Sequence, residues 1–553
     1  MSRGVHVFDV SCPSRDGVRL AGLVWVPEGD GPFPVAFHAF NAGLRNVSSS
    51  PLIHPMRLTD AGYACVLLDM RGTGKSEGEY TPIWSKYAVD DNYDAMDWIT
   101  AQPWCNGSVA AFGASAAGFQ ALASVVSGHP SLRCAYIYGA PFGYDQNGGA
   151  LDLGMHLPRA VRALAGDPTD YMWKTPLDKA FDETAAPHYF ERLHHPAYDE
   201  VWREVDLVAR ADQIRVPIFH GVGTYDAFLM GHIRLQAALQ EHQDPLVREA
   251  SRFLLGPWEH HGYMNPLLSS SAGQRSFGSA AVSNSALQAP LLLGWLDRWL
   301  AGDESVDTGA PVRYFVSGPN QWERAAAWPP PTSAHTLFLD SAGQANTVAG
   351  DGRLSTQIPA TSGSDAYRYD PANPVMTLGG RHLGEELVPP GVYDQAAIEA
   401  REDVLVYTSE PLTDPVAALG PAVVRLHAET SAVDTDFCVK IVDVEPAGYC
   451  ANIGEGILRA RYRKGLSHPD LVEPGSVNLY EIDCGHLTHT FQPGHRIRLD
   501  VTGSNFPQFD RNFNVAAEPA TVAASDGLAA TQRVHHGPVQ PSALVMQVAN
   551  SSA

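Results

Sequence analysis

Cations are the scarce charge in this chain: 38 Lys and Arg stand against 61 Asp and Glu over 553 residues, a formal net charge of −23. That balance disfavours nucleic acid and anionic lipid as partners, since both need clustered Lys and Arg. Paired cysteines are missing too. The seven present (Cys12, Cys65, Cys105, Cys134, Cys438, Cys450, Cys484) make no CxxC pair and no Cys/His ligand spacing, so buried, reduced thiols are expected. The most apolar stretches, such as Ala289 to Leu300, are broken by charges (Asp297, Arg298) and fall short of the roughly 20 residues a membrane-spanning helix needs. Met1 to Asp9 has a charge but no continuous apolar run and no small-residue cleavage site. A cytoplasmic protein with no membrane partner is the expectation. No HExxH or Cys/His cluster suggests a metal, and no GxxxxGK[ST] suggests a phosphate loop. Gly72-Thr-Gly74 lacks the remaining spacing of a dinucleotide fingerprint. Chemistry without metal or cofactor is therefore expected.

What is present is a large apolar reserve. With 44% hydrophobic and 18% charged residues the chain can bury enough surface to fold, and its length suits two or three domains. The first third alternates strand and helix signals. Tyr63 to Leu68 is a continuous apolar run, as expected of a strand buried on both faces, and Tyr87 to Gln102 places Val89, Tyr93, Met96 and Ile99 at helical spacing. Ser108 to Phe112, Ala116 to Ser127 and Arg133 to Tyr138 continue the βαβ rhythm of a parallel sheet. Between about Gly143 and Arg215 the rhythm stops in favour of amphipathic helices rich in Trp, Tyr and His; it resumes at Val216 to Val222. After Pro311 and the breaker cluster Trp328 to Pro331, short alternating runs such as Phe437 to Val444 and Ile497 to Val501 indicate an all-β sandwich. The expected organisation is an α/β domain over 1–143 and 215–320, a helical cap over 144–214 and a β-sandwich over 321–553.

The strongest local signal is Ala110-Ala-Phe-Gly-Ala-Ser-Ala-Ala-Gly-Phe119, an apolar strand entering a sharp turn at Ser115 and leaving as a helix. Gly113 and Gly118 let strand and helix approach, which is what a nucleophile elbow requires. The Ala116 N–H then lies at a helix start, aimed at developing oxyanion charge. A serine hydroxyl needs a base, and the base needs an orienting carboxylate. Two later strands end in suitable loops, one at Asp226 and one at His260, next to His261. The chain order Ser, Asp, His is that of α/β-hydrolases. Each candidate follows a strand, so all three can meet at one edge of the sheet.

These motifs are similar to those of the cocaine-esterase/X-prolyl dipeptidyl-peptidase group of serine hydrolases (the CocE/NonD type). Tyr225-Asp226 with Phe228 resembles its acid loop, and Gly256-Pro-Trp-Glu-His260 its base motif. Asp69-Met-Arg-Gly72 with Ser76-Glu-Gly78, Trp104 to Gly107, Ala432 to Phe437, Pro493 to Ile497 and Ser504 to Pro507 also resemble family segments, in the same order. The resemblance implies an α/β-hydrolase domain with an inserted helical cap and a C-terminal jelly roll, often in an oligomer such as a dimer. By matching position it implies Ser115 as nucleophile, Asp226 as orienter and His260 as base; a cofactor-free serine hydrolase acting on a small-molecule ester or amide is the leading expectation. Two positions depart from the family. Phe40 stands where the family has an oxyanion-binding Tyr, and Phe donates no hydrogen bond, so either Asn41, a backbone N–H or a substrate group acts in its place or the enzyme is slow on simple esters. Ala116 stands where the family has Tyr, so the acyl pocket is expected to be reshaped. Phe228, Trp258 and Trp173 are candidates to line it, whereas Arg71 and Asp69 are expected to brace a loop. The same acyl-enzyme also suits an acyltransferase, a ring-closing enzyme or an X-prolyl or amino-acyl peptidase. A non-catalytic binding protein is the remaining alternative.

Overall fold

The computed structural model describes residues 4–40, 52–81, 85–143, 147–262, 269–283, 285–383 and 387–550. Its first part is a ten-stranded sheet. The leading strands are β1 (Val5–Pro13), β2 (Arg19–Pro27), β3 (Phe33–Phe40), β4 (Ala64–Asp69), β5 (Cys105–Ala114), β6 (Leu132–Tyr138), β7 (Ile218–Gly223) and β8 (Arg252–Gly256). They lie in the order β1-β2-β4-β3-β5-β6-β7-β8, followed by strands Val312–Val316 and Gln321–Ala325. From β4 to Val312–Val316 all neighbours are parallel, while β1, β2 and Gln321–Ala325 add antiparallel edges. The sheet thus runs on to Ala325, a few residues past the boundary expected at 320.

A parallel sheet needs both faces covered, and residue alternation supplies both. Val35, Phe37 and Val66 face helices α2 (Ala88–Thr100) and α3 (Ala116–Val126), packing with Met96, Ile99, Phe119 and Leu122. Cys65, Phe112, Tyr136 and Phe219 face the other way, onto Leu58 of a short helix (Pro55–Asp60) and Leu292, Trp295 and Leu296 of helix Ser285–Trp299. All seven cysteines are buried and free.

Between β6 and β7 the chain forms a helical excursion with α4 (Leu153–Ala163), α5 (Pro187–His194) and a further short helix, Glu200–Val205. Asp152 caps α4 by accepting from Met155 N at 2.9 Å. Leu157, Val161, Tyr189 and Phe190 form a small core that also takes in Phe506 of the C-terminal part. That part is an eleven-stranded, largely antiparallel β domain. Its long strand Val416–Thr430 pairs with Asn478–Phe491, Ala530–His536 and Ala543–Ala549 around a core including Leu426, Phe437, Ile441 and Leu499. The two sheets meet at Ser317, whose N–H donates to Thr488 O and whose carbonyl accepts from Thr490 N, both at 2.9 Å. Among the described residues no helix is long and apolar enough to cross a membrane.

Candidate active site

Ser115 sits between the last residue of β5 and the first of α3 with φ 54° and ψ −128°, a strained left-handed conformation for a residue with a side chain. Small neighbours make the turn possible. A Cβ on Gly113 would lie 2.2 Å from Ala117 O, and one on Gly118 would lie 2.5 Å from the Ala140 Cβ. The Ser115 N–H donates to Tyr138 O at 3.0 Å, fixing the elbow to β6. The Ala116 N–H opens α3, where the helix dipole concentrates positive charge.

Asp226 follows β7 and His260 follows β8. The two loops are fastened to each other: Thr224 N donates to Gly256 O at 2.8 Å and Tyr225 N to Trp258 O at 3.0 Å. Asp226 is fully buried, and its Oδ1 accepts from Phe228 N at 2.9 Å. Its Oδ2 lies 3.0 Å from His260 Nδ1, and His260 Nε2 lies 3.1 Å from Ser115 Oγ. The carboxylate only accepts, so Nδ1 carries the proton and Nε2 presents its lone pair to the serine hydroxyl. Phe228 is buried with its ring edge-on to His260 at 5.2 Å.

His261 lies beside His260, ring centroids 5.1 Å apart. Burial above all, with the charges of His260, Arg159 and Arg162, lowers its pKa to about 4. A second imidazole pair, His220 and His232, flanks the acid loop and is marked by no sequence pattern. Ala140 N donates to His232 Nε2 at 2.8 Å, so the His232 proton is on Nδ1, which donates to His220 Nδ1 at 3.1 Å; His220 Nε2 then donates to Gln236 Oε1 at 3.0 Å. Burial pushes His220 down to about 4, and His232 is lowered as well, so both are neutral hydrogen-bond relays that seat β7 on helix Leu229–Gln240. With 22 histidines in the chain, no local signal singled them out.

Other expected site residues go elsewhere. Trp258 is not a cleft residue. Its indole is fully buried, donates to Ala281 O at 2.6 Å and packs against Tyr138 and Trp322, so its apolar ring is spent in the core and its one donor on a backbone carbonyl. Trp173 lies half-exposed against Phe506 at 4.7 Å, with the Arg511 guanidinium 4.9 Å from its ring centroid, and so belongs to the seam between helical excursion and β domain. Phe40 ends β3 partly exposed, and Asn41 lies outside the described residues. His38, two residues earlier, donates from Nδ1 to Phe112 O at 2.9 Å, and burial lowers it to about 4. Its Nε2 is therefore an acceptor and cannot act as an oxyanion donor. Arg71 braces a loop, bridging Asp91 at 2.6 Å and Asp16 at 2.7 Å. Among the described residues no cluster of three or more His, Cys, Asp or Glu is placed to hold a metal.

Two family models match the chain: X-Pro dipeptidyl-peptidase (S15 family) over residues 16–262, and the X-Pro dipeptidyl-peptidase C-terminal non-catalytic domain over 304–545. The chain is 36% identical to cocaine esterase of Rhodococcus sp. (strain MB1 Bresler), over 98% of both chains. Among solved structures it resembles an aminopeptidase from the marine sediment archaeon Thaumarchaeota archaeon, with TM-score 0.85 and 25% identity over 99% of this chain and 97% of that one. An alpha-amino acid ester hydrolase matches with TM-score 0.84 and 25% identity over the same shares. Fold and matches together define a serine hydrolase with an α/β domain and a C-terminal β domain. The chain belongs to the CocE/NonD, X-Pro dipeptidyl-peptidase S15 family of hydrolases.

Proposed function

We propose that this chain is a carboxylic-ester hydrolase that works through an acyl-enzyme on Ser115. The observation that carries the reading is the unbroken hydrogen-bonded line from Ser115 Oγ through His260 to Asp226. In this scheme His260 Nε2 takes the serine proton as Oγ attacks the ester carbonyl, and Asp226 holds the tautomer and stabilises the imidazolium. The Ala116 N–H receives the oxyanion. The alcohol then leaves with the proton from His260, and a water activated by the same imidazole cleaves the acyl-enzyme.

One feature favours esters over peptides. With Phe40 in place of a hydroxyl donor the oxyanion loses a hydrogen bond, typically about 3 kcal/mol or some hundredfold in rate. An ester with a good leaving group tolerates that loss better than an amide does. The test is a pre-steady-state burst of nitrophenol from p-nitrophenyl esters together with labelling by a fluorophosphonate. Ser115→Ala is expected to lose both, and His260→Ala to lose the burst; full labelling of Ser115→Ala would remove Ser115 from the mechanism.

A further inference from the structure

Ser115, Asp226 and His260 follow the carboxyl ends of β5, β7 and β8. A cavity of about 470 Å³ opens at the other rim of the sheet, where β7 and β8 begin. Its lining is apolar at Phe219, Leu254, Leu291 and Trp295. It also carries three arginines from three strands: Arg252 of β8, Arg313 of Val312–Val316 and Arg324 of Gln321–Ala325. Arg313 and Arg324 are direct cross-strand partners, an arrangement in which like charges repel. The Arg252 Nη1 donates to the carbonyls of Glu249 and Ser251, both at 2.9 Å, while its Nε is buried with no hydrogen-bond partner. The Arg313 guanidinium is 4.5 Å from the centroid of the Trp322 ring. Among the described residues none of the three arginines is in an ion pair. Asp307, also in the wall, bears on Arg252 from a distance and accepts from Gly309 N at 2.8 Å. Burial lowers the proton affinity of Arg252 and Arg313, and for Arg313 the charge of Arg324 adds to the effect. In a chain of net charge −23, three cations gathered on one cavity against the single carboxylate of Asp307 run against the composition.

We propose that this cavity binds a small organic carboxylate, its anionic head on Arg252 and Arg313 and its aromatic or aliphatic body against Leu291 and Trp295. Guanidinium forks match carboxylate geometry, and the volume falls within the range of small-molecule sites. The site is separate from the Ser115 cleft and does not depend on the reaction proposed there.

The test is calorimetric titration of the full chain with benzoate, alongside benzyl alcohol as the neutral analogue and phenyl phosphate as the competing anion. Arg313→Gln removes a charge. Gly294→Leu fills the cavity and keeps every charge; a Cβ at Gly294 meets only the Val306 Cγ1, at 3.7 Å, and leucine suits a helix better than glycine. The expected result is saturable benzoate binding that weakens with salt, weakens at least tenfold in Arg313→Gln and disappears in Gly294→Leu, with benzyl alcohol at least tenfold weaker. If Arg313→Gln fails to fold, Gly294→Leu decides alone. No saturable benzoate binding, binding undiminished in Gly294→Leu, or equal binding of benzyl alcohol would overturn the site, and tighter binding of phenyl phosphate would overturn its assignment to carboxylates.

Discussion

At the residue scale the account turns on which groups can donate at the proposed oxyanion position. Phe40 ends β3 next to β5, and His38 keeps its only proton on Nδ1 for Phe112 O. The Ala116 N–H stands as the one assigned donor. Phe40→Tyr restores a hydroxyl at this position, and kcat on a p-nitrophenyl ester is expected to rise roughly tenfold to a hundredfold with little change in KM. An unchanged or lowered kcat in steady-state assays would refute that assignment. Ser115, Asp226 and His260 were legible in the sequence because each belongs to a short pattern that ends a strand: an elbow with small neighbours, a Tyr-Asp loop, a Gly-Pro-Trp-Glu-His loop. Trp258 was not. Adjacency in that last motif put it beside His260, yet its indole bonds Ala281, 23 residues on, a partner no local pattern shows.

At the element scale, α4 is the part of the helical excursion whose charges reach His261, and its N-cap has an unusual proton affinity. Burial raises the Asp152 pKa to about 7, against the opposing Met155 N–H and the Arg159 charge. Its folded pKa lies above the unfolded one, so its contribution is fully present below about pH 4 and is lost as pH rises through about 7. Asparagine caps a helix as well as aspartate and does not titrate. Asp152→Asn is therefore expected to gain stability relative to the parent as pH increases, by up to roughly 4 kcal/mol near pH 8. Urea unfolding at pH 5 and pH 8 checks this, and a difference that shrinks with pH would contradict it. The sequence showed that helices interrupt the βαβ rhythm here, since their periodicity is local. It did not show what they pack on, because Leu157 and Phe190 meet Phe506 from more than 300 residues away.

At the scale of the whole molecule, a buried ionic network fastens the segment before α4 to the β domain. Arg459 bridges Asp436 at 2.9 Å and Asp510 at 2.8 Å, and Asp510 accepts from Leu151 N at 2.9 Å. Removing the guanidinium leaves two buried carboxylates without their cation. Arg459→Ala is expected to cost about 3–5 kcal/mol in urea unfolding, with secondary structure retained in the folded baseline. A cost below about 1 kcal/mol would show that the network does not hold the parts together. The mixed α/β sheet could be read from the sequence because buried parallel strands appear as unbroken apolar runs such as Tyr63 to Leu68. The β domain was legible only as a class. Its strand order depends on pairings such as Val416–Thr430 with Asn478–Phe491, and alternation marks strands without naming their partners.

The central claim is a covalent acyl group on one serine. Mass spectrometry of the full chain, quenched during turnover of a p-nitrophenyl ester and digested, tests it most directly. An acyl mass increment is expected on the peptide containing Ser115 and is expected to be absent from Ser115→Ala. An increment on another residue, or continued turnover by Ser115→Ala, would contradict it.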